Sequence, residues 1–172
     1  ACCLEHGREF SCGSTGRWHS GAAWWLPFSV RRARTLHTPD IGEVTAVSVR
    51  TALAMLSVHS ARVIDGKGLD DDVHADSLSP RQLLLASVAV YEDFALQPYA
   101  LRENLLVDFD TAKLASGTVL QIGNEVRLRL MFQCEACGQL DTRQPGLSKK
   151  LGMRRGMLAR VLSGGVIRPG DR

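Results

Sequence analysis

The sequence has no apolar run that approaches the roughly 20 residues of a membrane-spanning helix. Its apolar fraction of 45% and mean hydropathy of -0.04 are typical of soluble globular proteins. No recognisable secretory signal stands at its start. From these absences we expect a soluble, cytoplasmic protein without membrane contact, and 172 residues are enough for one domain with a buried core.

Clustered positive charge is also missing from most of the chain. The formal net charge is +3, and five arginines against two glutamates place this excess before residue 39. The remainder is close to neutral, whereas a nucleic-acid-binding surface needs lysines and arginines gathered on one face. The charge pattern therefore argues against a nucleic-acid partner for the folded part.

The first part of the chain has no sustained hydrophobic period. Residues 1–38 contain all three tryptophans, together with scattered glycine, serine and arginine. We predict an irregular or disordered leader over residues 1–38 and a folded domain over residues 39–172. Residues 166–172 resemble the first strand of a pair, so we expect a further strand to follow them.

The five cysteines are an odd number, and without a secretory signal reduced thiols are the expected state. Cys2, Cys3 and Cys12 show no spacing that would complete a zinc site with Cys134 and Cys137. A Cys-x-x-Cys spacing by itself fits a redox pair, half of a zinc site or two buried core residues. All three alternatives stay open at this point.

Short hydrophobic runs separated by turn residues dominate the rest of the sequence. They predict strands at 43–49, 61–64, 81–86, 102–109, 118–122, 125–134, 156–162 and 166–168. Gly123-Asn124 predicts a tight hairpin between two of them. Many short strands and few helices are typical of a mainly β protein, here a β-barrel with a few short helices.

Helical signals are few. Ser87 is predicted to cap a helix that Pro98 stops, and Ser148 to cap a shorter helical piece. Residues 51–60 fit a loop or a short helix. No βαβ alternation is evident, which argues against a thioredoxin-like use of the two cysteines.

The long strand predicted at 125–134 ends at the cysteine pair. Cys137 is followed by Gly138, so this thiol lies at a turn, where a substrate can reach it. A second polar stretch, residues 69–76, gathers carboxylates around His74. That stretch fits either a calcium site or a solvated acidic turn, and it lacks the ligand spacing of an EF-hand.

Five blocks occur in the order and spacing of one family. They are GLDDDVHA at 68–75, RQL at 81–83, RENL at 102–105, CEACGQL at 134–140 and RGMLARV at 155–161. Together they resemble the MOSC domain, the C-terminal domain of molybdenum cofactor sulfurases, which also exists as small standalone proteins. The resemblance covers residues 41–172.

The family's Gly-Asp-x-His run aligns with residues 71–74. Asp72 and His74 match this pattern, whereas Asp71 replaces the glycine. The family's Glu-Asn-Leu falls on residues 103–105, which include Asn104.

The family's key cysteine falls on Cys137, and Gln139 and Leu140 follow it as the pattern requires. Many members carry an arginine three residues before this cysteine, and here that position is Cys134. The departure leaves an anion contact unfilled and makes a Cys134–Cys137 disulfide an alternative.

The resemblance implies a β-barrel whose thiol carries sulfur or binds the molybdenum of molybdopterin. Cys137 is then both the catalytic nucleophile and the metal ligand, because a thiolate is a soft ligand and can also hold a persulfide. His74 is the candidate for moving the thiol proton, with Asp72 orienting its ring. The side chains predicted to bind the cofactor or stabilise anionic sulfur are Arg81, Arg102, Arg129 and Asn104.

We therefore predict a sulfur-carrier or molybdenum-cofactor-binding domain. One alternative is a molybdenum-dependent reductase of N-hydroxylated compounds, which needs an external electron donor because no ferredoxin-type cysteine set is present. Another is a noncatalytic barrel with a structural or redox-sensing cysteine pair. The chain is too short to contain the pyridoxal-phosphate desulfurase domain of the large sulfurases, so we expect no pyridoxal phosphate site. A separate cysteine desulfurase is expected as sulfur donor, with a molybdoenzyme or redox partner as acceptor.

Overall fold

A computed structural model describes residues 39–142 and 144–172. The described residues belong to one compact unit, Thr38–Arg172. The predicted leader, with Cys2, Cys3 and Cys12, lies outside them. None of the helices in the described part is both long and apolar enough to cross a membrane.

Strands make up most of the described structure. Those in the first half of the domain are β1 (Val44–Arg50), β2 (Met55–Val58), β3 (Ala61–Ile64), β4 (Gly68–Leu69), β5 (Leu83–Ser87) and β6 (Leu105–Val107). The later ones are β7 (Val119–Ile122), β8 (Val126–Gln133), β9 (Met157–Ser163) and β10 (Gly165–Ile167). Two short helices, α1 (Val88–Asp93) and α2 (Leu147–Leu151), accompany them.

The strands form two sheets. Seven strands in the order β2-β1-β6-β5-β9-β8-β7 make a sheet that curls into half of a barrel, and β10-β3-β4 make a second, smaller sheet. The predicted mainly β class is thus confirmed. The hairpin predicted at Gly123 joins β7 to β8, with Ile122 paired to Val126.

One main core contains buried side chains from both sheets. Along β8 the buried side chains Val126, Leu128 and Leu130 alternate with the exposed Arg127 and Arg129, which is the pattern of a strand with one face on the core. β5, in contrast, is buried at all five positions and lies in the middle of the sheet. The two patterns explain why both strands were visible in the sequence.

The sequence showed no βαβ alternation, but the structure contains one βαβ unit. β5 and β6 are parallel neighbours, with Leu85 paired to Leu105, and α1 lies in the connection between them. α1 has six residues, so its hydrophobic period is too short to distinguish a crossover helix from a loop.

Residues 51–60 also differ from the prediction, because they contain β2 rather than a helix or only a loop. The Thr51 hydroxyl accepts hydrogen bonds from the backbone N–H groups of Leu53 and Ala54 and closes the turn into β2. β2 is an edge strand paired to β1 alone, and its side chains show no clear alternation. Its strand conformation comes from that pairing.

Both predicted helix caps are partly wrong. Ser87 is the residue before α1, but its buried hydroxyl makes no hydrogen bond to any of the described residues, and α1 ends at Asp93, before Pro98. Ser148 lies inside α2, which begins after Gly146. The Ser148 hydroxyl instead donates to Asp141 at 2.6 Å, and this hydrogen bond, aided by backbone N–H groups, lowers the pKa of Asp141.

Gly156 lies just before β9, and its carbonyl accepts a hydrogen bond from the backbone N–H of Cys134. A substitution at Gly156 tests how closely its backbone packs against β5. Its φ is 136°, and a Cβ would collide with the carbonyl oxygen of Leu85 on the neighbouring β5. We therefore expect Gly156→Ala to lower the free energy of unfolding by about 2–4 kcal/mol. Urea unfolding followed by circular dichroism would measure it.

Gly138→Ala is the matched control, because a Cβ at Gly138 meets no atom within 4 Å. Its unfolding free energy should stay within about 0.5 kcal/mol of the unsubstituted protein. Equal stability of the two variants would contradict the close approach at Gly156.

Candidate functional site

The two described cysteines lie just past the end of β8. Residues 134–137 have no regular structure and lead into a 3-10 turn, Gly138–Leu140. The backbone N–H of Cys134 donates to the Gly156 carbonyl at 2.8 Å, and Leu140 is fully buried, so both ends of the segment are anchored. Cys134 is buried and Cys137 is exposed, and both thiols are free.

Arg155 supplies positive charge beside the exposed thiol. Its Nη1 lies 3.6 Å from Cys137 Sγ and donates to the Glu135 carbonyl at 3.1 Å, while its Nη2 donates to the Leu101 carbonyl at 3.4 Å. Its Nε is buried and has no hydrogen-bond partner in the described structure. These contacts hold the guanidinium next to the sulfur.

The two thiols have different environments. Burial raises the pKa of the Cys134 thiol, and the charges of Arg155 and Arg81 oppose this rise without cancelling it. Cys134 packs with Leu84 and Leu158 in a small apolar cluster. Cys134 is therefore held neutral within this apolar cluster, while Cys137 faces solvent beside the Arg155 guanidinium.

A buried carboxylate organises the second part of the site. Asp72, whose side chain has no exposed surface, accepts hydrogen bonds from the backbone N–H groups of Arg50 and His74, both at 2.8 Å. It also accepts from Asn104 Nδ2 at 2.8 Å and contacts His74 Nδ1 at 3.2 Å. Burial alone would raise the pKa of Asp72, but the hydrogen bonds outweigh it and the pKa lies below its ordinary value.

His74 links this carboxylate to the surface. Its side chain is half exposed, with Nδ1 near Asp72 and Nε2 3.4 Å from Nη1 of Arg50. Because a guanidinium can only donate, Nε2 is the acceptor there, and the neutral ring then carries its proton on Nδ1. Asp72 contacts the ring at Nδ1, and the proposed roles of Asp72 in orienting the ring and of His74 in moving a proton stay predictions.

Asn104 lies behind Asp72 rather than at the surface. Its Oδ1 accepts from the backbone N–H of Leu84, and its Nδ2 donates to Asp72 and to the Ser48 carbonyl. The residue is 5% exposed. Its side chain ties β1 to β5 through buried hydrogen bonds, and this position favours support of Asp72 over contact with a cofactor.

A cavity of about 270 Å³ has in its lining Arg50, which contacts the Asp72 cluster, and Gln139, which follows Cys137 by two positions, but neither Asp72 nor Cys137 itself. It is lined by residues 51–55 together with Arg50, Arg102, Gln139 and Thr142. Nη1 of Arg102 donates to Gln139 Oε1 at 2.7 Å, so one wall is continuous with the 3-10 turn that follows Cys137. Two guanidinium groups in one small cavity suit an oxyanion such as a phosphate.

Two predicted cofactor-binding residues lie elsewhere. The Arg81 guanidinium stacks over the Phe132 ring, 5.4 Å from its centre. Arg129 is exposed on β8 and is paired with Arg160 on β9. Neither lines the cavity that contains Arg102.

Two arginines of the site were not predicted. Arg155 stands next to Gly156 in a recognised block, but only the fold brings it to Cys137. Arg50 ends β1 and meets His74 across 24 positions. Neither had a local sequence signal for these contacts.

The acidic stretch, residues 69–76, contains one residue with a left-handed backbone conformation. Asp71 has a φ of 63°, a left-handed conformation that favours glycine and that aspartate tolerates better than most residues. This explains how Asp71 can replace the family's glycine.

Within the residues that the structure describes, no group of three or more His, Cys, Asp or Glu side chains is placed to hold a metal ion.

Comparisons with known proteins agree with this architecture. A family model of the MOSC domain matches residues 73–172, more than half of the chain. The chain belongs to the MOSC domain family. MOSC domains are associated with molybdenum-cofactor-related function.

Solved structures share the MOSC fold of this chain. YuaD from Bacillus subtilis matches with a TM-score of 0.67 and 15% identity, over 76% of this chain and 92% of YuaD. YiiM from Escherichia coli matches with a TM-score of 0.58 and 16% identity, over 75% of this chain and 67% of YiiM. Identities this low show the fold alone. Among curated proteins no match is found.

The hydrogen bonds to Asp72 predict that the free energy of unfolding depends on pH. Because the folded-state pKa of Asp72 is lowered, its contribution is present above the ordinary value of 3.8 and is lost as the pH falls through the lower folded value. We expect Asp72→Asn to cost about 1–3 kcal/mol of unfolding free energy at pH 7. The cost should shrink at pH values below 3.8, as measured by urea unfolding at several pH values.

Asp71→Asn is the control, because Asp71 is an exposed neighbour and asparagine also tolerates its left-handed backbone. It should change stability by less than about 0.5 kcal/mol. A cost of Asp72→Asn that is the same at every pH would contradict the ionised, hydrogen-bonded state of Asp72.

Proposed function

We propose that this MOSC domain binds molybdopterin, with the thiolate of Cys137 as its molybdenum ligand. The observation that carries the proposal is the exposed Cys137 Sγ held 3.6 Å from the Arg155 guanidinium. A cation at this distance stabilises an anionic sulfur by direct charge interaction. Arg155 supplies the positive charge near Cys137 that Cys134 cannot supply. Cys134 occupies the position where many family members have an arginine.

The residues of the site fit such a cofactor by their chemistry. A thiolate is a soft donor suited to molybdenum, and the guanidinium groups of Arg50 and Arg102 suit the pterin's phosphate. When bound, the cofactor would supply redox chemistry at its molybdenum. The protein's part is to hold the anion with Arg155 and to position the phosphate.

A persulfide carrier is the second candidate, and the exposure of Cys137 favours it. The Cys137 thiolate attacks the terminal sulfur of a persulfide on a cysteine desulfurase, the donor's S–S bond breaks, and the donor leaves as a thiolate. Cys137 then carries the sulfur toward a molybdenum-cofactor acceptor. Arg155 would contact the persulfide sulfur as it contacts Cys137 Sγ, so both candidates use the same contact.

The two remaining alternatives need features beyond this site. A reductase of N-hydroxylated compounds needs an electron donor in addition to the bound cofactor. A redox-sensing pair needs Cys134 and Cys137 to meet, yet one is buried in an apolar cluster and the other faces solvent beside Arg155.

Cofactor analysis tests the first candidate directly. Protein produced in a host that makes molybdenum cofactor should contain molybdenum and pterin, and Cys137→Ala should lose the molybdenum because its thiolate ligand is gone. Cys134→Ala is the control and should retain both. Metal analysis by mass spectrometry and pterin fluorescence would measure them.

Wild-type protein without molybdenum or pterin would sink the cofactor-binding proposal. Incubation with a cysteine desulfurase and cysteine would then decide the second candidate. A mass increase of one sulfur on Cys137, retained in Cys134→Ala, supports the carrier. Loss of that increase in both cysteine variants would point to the redox pair.

The role of Arg155 is tested by the reactivity of the thiol. Arg155→Met removes the charge beside Cys137, so alkylation of Cys137 by iodoacetamide at neutral pH should slow by about three- to tenfold. Arg154→Met is the matched control, because Arg154 pairs with Asp93 and lies over Phe94. Equal rates in both variants would mean that Arg155 does not act on the sulfur.

A further inference from the structure

The histidine of the acidic stretch contacts an arginine of the small cavity that Arg50 and Arg102 line. The Nη1 atom of Arg50 donates to His74 Nε2 at 3.4 Å, and the other ring nitrogen, Nδ1, lies 3.2 Å from Asp72 Oδ1. Within the described residues, neither ring nitrogen has a contact with Cys137. The ring therefore joins a buried carboxylate to a guanidinium at the cavity.

Residues 72–74 hold Arg50 through its backbone as well as its side chain. The backbone N–H of Arg50 donates to Asp72 Oδ2 at 2.8 Å, and its carbonyl accepts from the N–H of Val73 at 2.9 Å. The contact with His74 is the only hydrogen bond of the Arg50 guanidinium in the part of the chain that the structure describes. Because the backbone is fixed, this contact decides where the flexible end of the side chain lies.

The loop that carries the histidine is itself anchored. Gln82 is fully buried, and its Nε2 donates to the carbonyls of Gly66 and Asp76 at 2.6 and 2.8 Å. Its Oε1 accepts from the backbone N–H of Val161 on β9 at 2.9 Å. Both ends of the loop 66–76 are thereby tied to the sheet. A side chain on such a fixed loop can hold a neighbouring group in one place.

Both arginines of the cavity are held by neutral acceptors. Nη1 of Arg102 donates to Gln139 Oε1 at 2.7 Å, as that of Arg50 donates to the neutral His74 ring. No carboxylate of the described residues forms an ion pair with either guanidinium. A guanidinium has five N–H donors, so one such contact leaves both its charge and most of its donors for an anion.

We propose that His74 is a positioning residue for the anion site. Its Nε2 holds the Arg50 guanidinium where it can bind a phosphate oxygen, and Asp72 favours the tautomer in which this nitrogen accepts. The proposal rests on the proposed use of Arg50 and Arg102 for the cofactor's phosphate, but it does not involve Cys137. An arginine loses side-chain freedom when it binds an anion, and a guanidinium that is already held loses less. His74 should therefore raise the affinity for phosphate without contacting it.

Inorganic phosphate is the probe, and the side-chain Nε–H signals of Arg50 and Arg102 are the readout. In a phosphate titration of the full chain followed by NMR, both signals should shift along one binding curve. His74→Asn should weaken binding about three- to tenfold, because its amide takes the place of Nδ1 and is too short to accept from Arg50. His74→Gln should stay within about twofold of wild type, because its amide oxygen can take the place of Nε2.

A double-mutant cycle separates positioning from a general effect on the fold. In an Arg50→Met background, followed at the Arg102 signal, His74→Asn should weaken phosphate binding by less than about a further twofold. His59→Asn is the matched control, because His59 is exposed between β2 and β3 and does not line the cavity. It should leave the phosphate affinity unchanged. Circular dichroism would confirm that all variants keep the native sheet.

Three results would overturn the proposal. One is an equal loss of affinity in His74→Gln and His74→Asn, or an effect of His74→Asn that is the same with and without the Arg50 guanidinium. Another is unchanged affinity in His74→Asn while Arg50→Met and Arg102→Met weaken binding, which would leave the phosphate site standing without His74. The third is the absence of phosphate-dependent shifts at both arginines of the wild type.

Cofactor analysis keeps this test separate from that of the proposed function. Molybdenum content reports on the ligand Cys137, whereas the phosphate titration reports on Arg50 and Arg102 alone. Phosphate binding that is coupled to His74, in a protein that contains no molybdenum or pterin, would overturn cofactor binding and support the positioning role.

Discussion

The buried carboxylate of Asp72 is the interaction on which the candidate site depends. A carboxylate without exposed surface needs hydrogen-bond donors to remain charged, and Asp72 receives them from Arg50, His74 and Asn104. Those donors come from the end of β1, the loop after β4 and the residue before β6. One charge thereby fixes three segments that are distant in the sequence. It contacts the ring of His74 and holds the backbone of Arg50, which lines the small cavity.

The thiol is held by a separate set of contacts. Arg155 precedes β9 and bonds to the carbonyls of Glu135 and Leu101, so its guanidinium has little freedom to leave Cys137. Arg102 has a φ of 63° and reaches Gln139, which follows the thiol by two positions. A left-handed backbone at a non-glycine residue costs free energy, and such strain is characteristic of residues held for a function. Arg50, which contacts Asp72, and Arg102, which contacts Gln139, both line the small cavity.

The seven-stranded sheet makes different contacts near the cysteine segment and near β7. Toward the cysteine segment, the close approach of Gly156 to Leu85 brings β9 against β5 and sets the position of Arg155. Toward β7, residues 170–172 hydrogen-bond to Val44 and to Gly123, so in the described part of the chain this segment links β1 to the β7–β8 hairpin.

Local patterns in the sequence determined most of the strands, the β7–β8 hairpin and the family blocks, because periodicity and turn residues act over a few positions. They also determined that Cys137 follows a strand end and that Asp72 precedes His74 by two residues. Only the tertiary structure decided that Arg155 and Arg50 join the site, that Asn104 points inward, and that Arg81 and Arg129 lie apart from the cavity. Contacts such as Arg155 to Leu101, 54 positions apart, arise from strand order and sheet curvature, which leave no signal in a local window. The same reason hid β2 and the parallel pairing of β5 with β6, since both depend on a neighbouring strand rather than on their own residues.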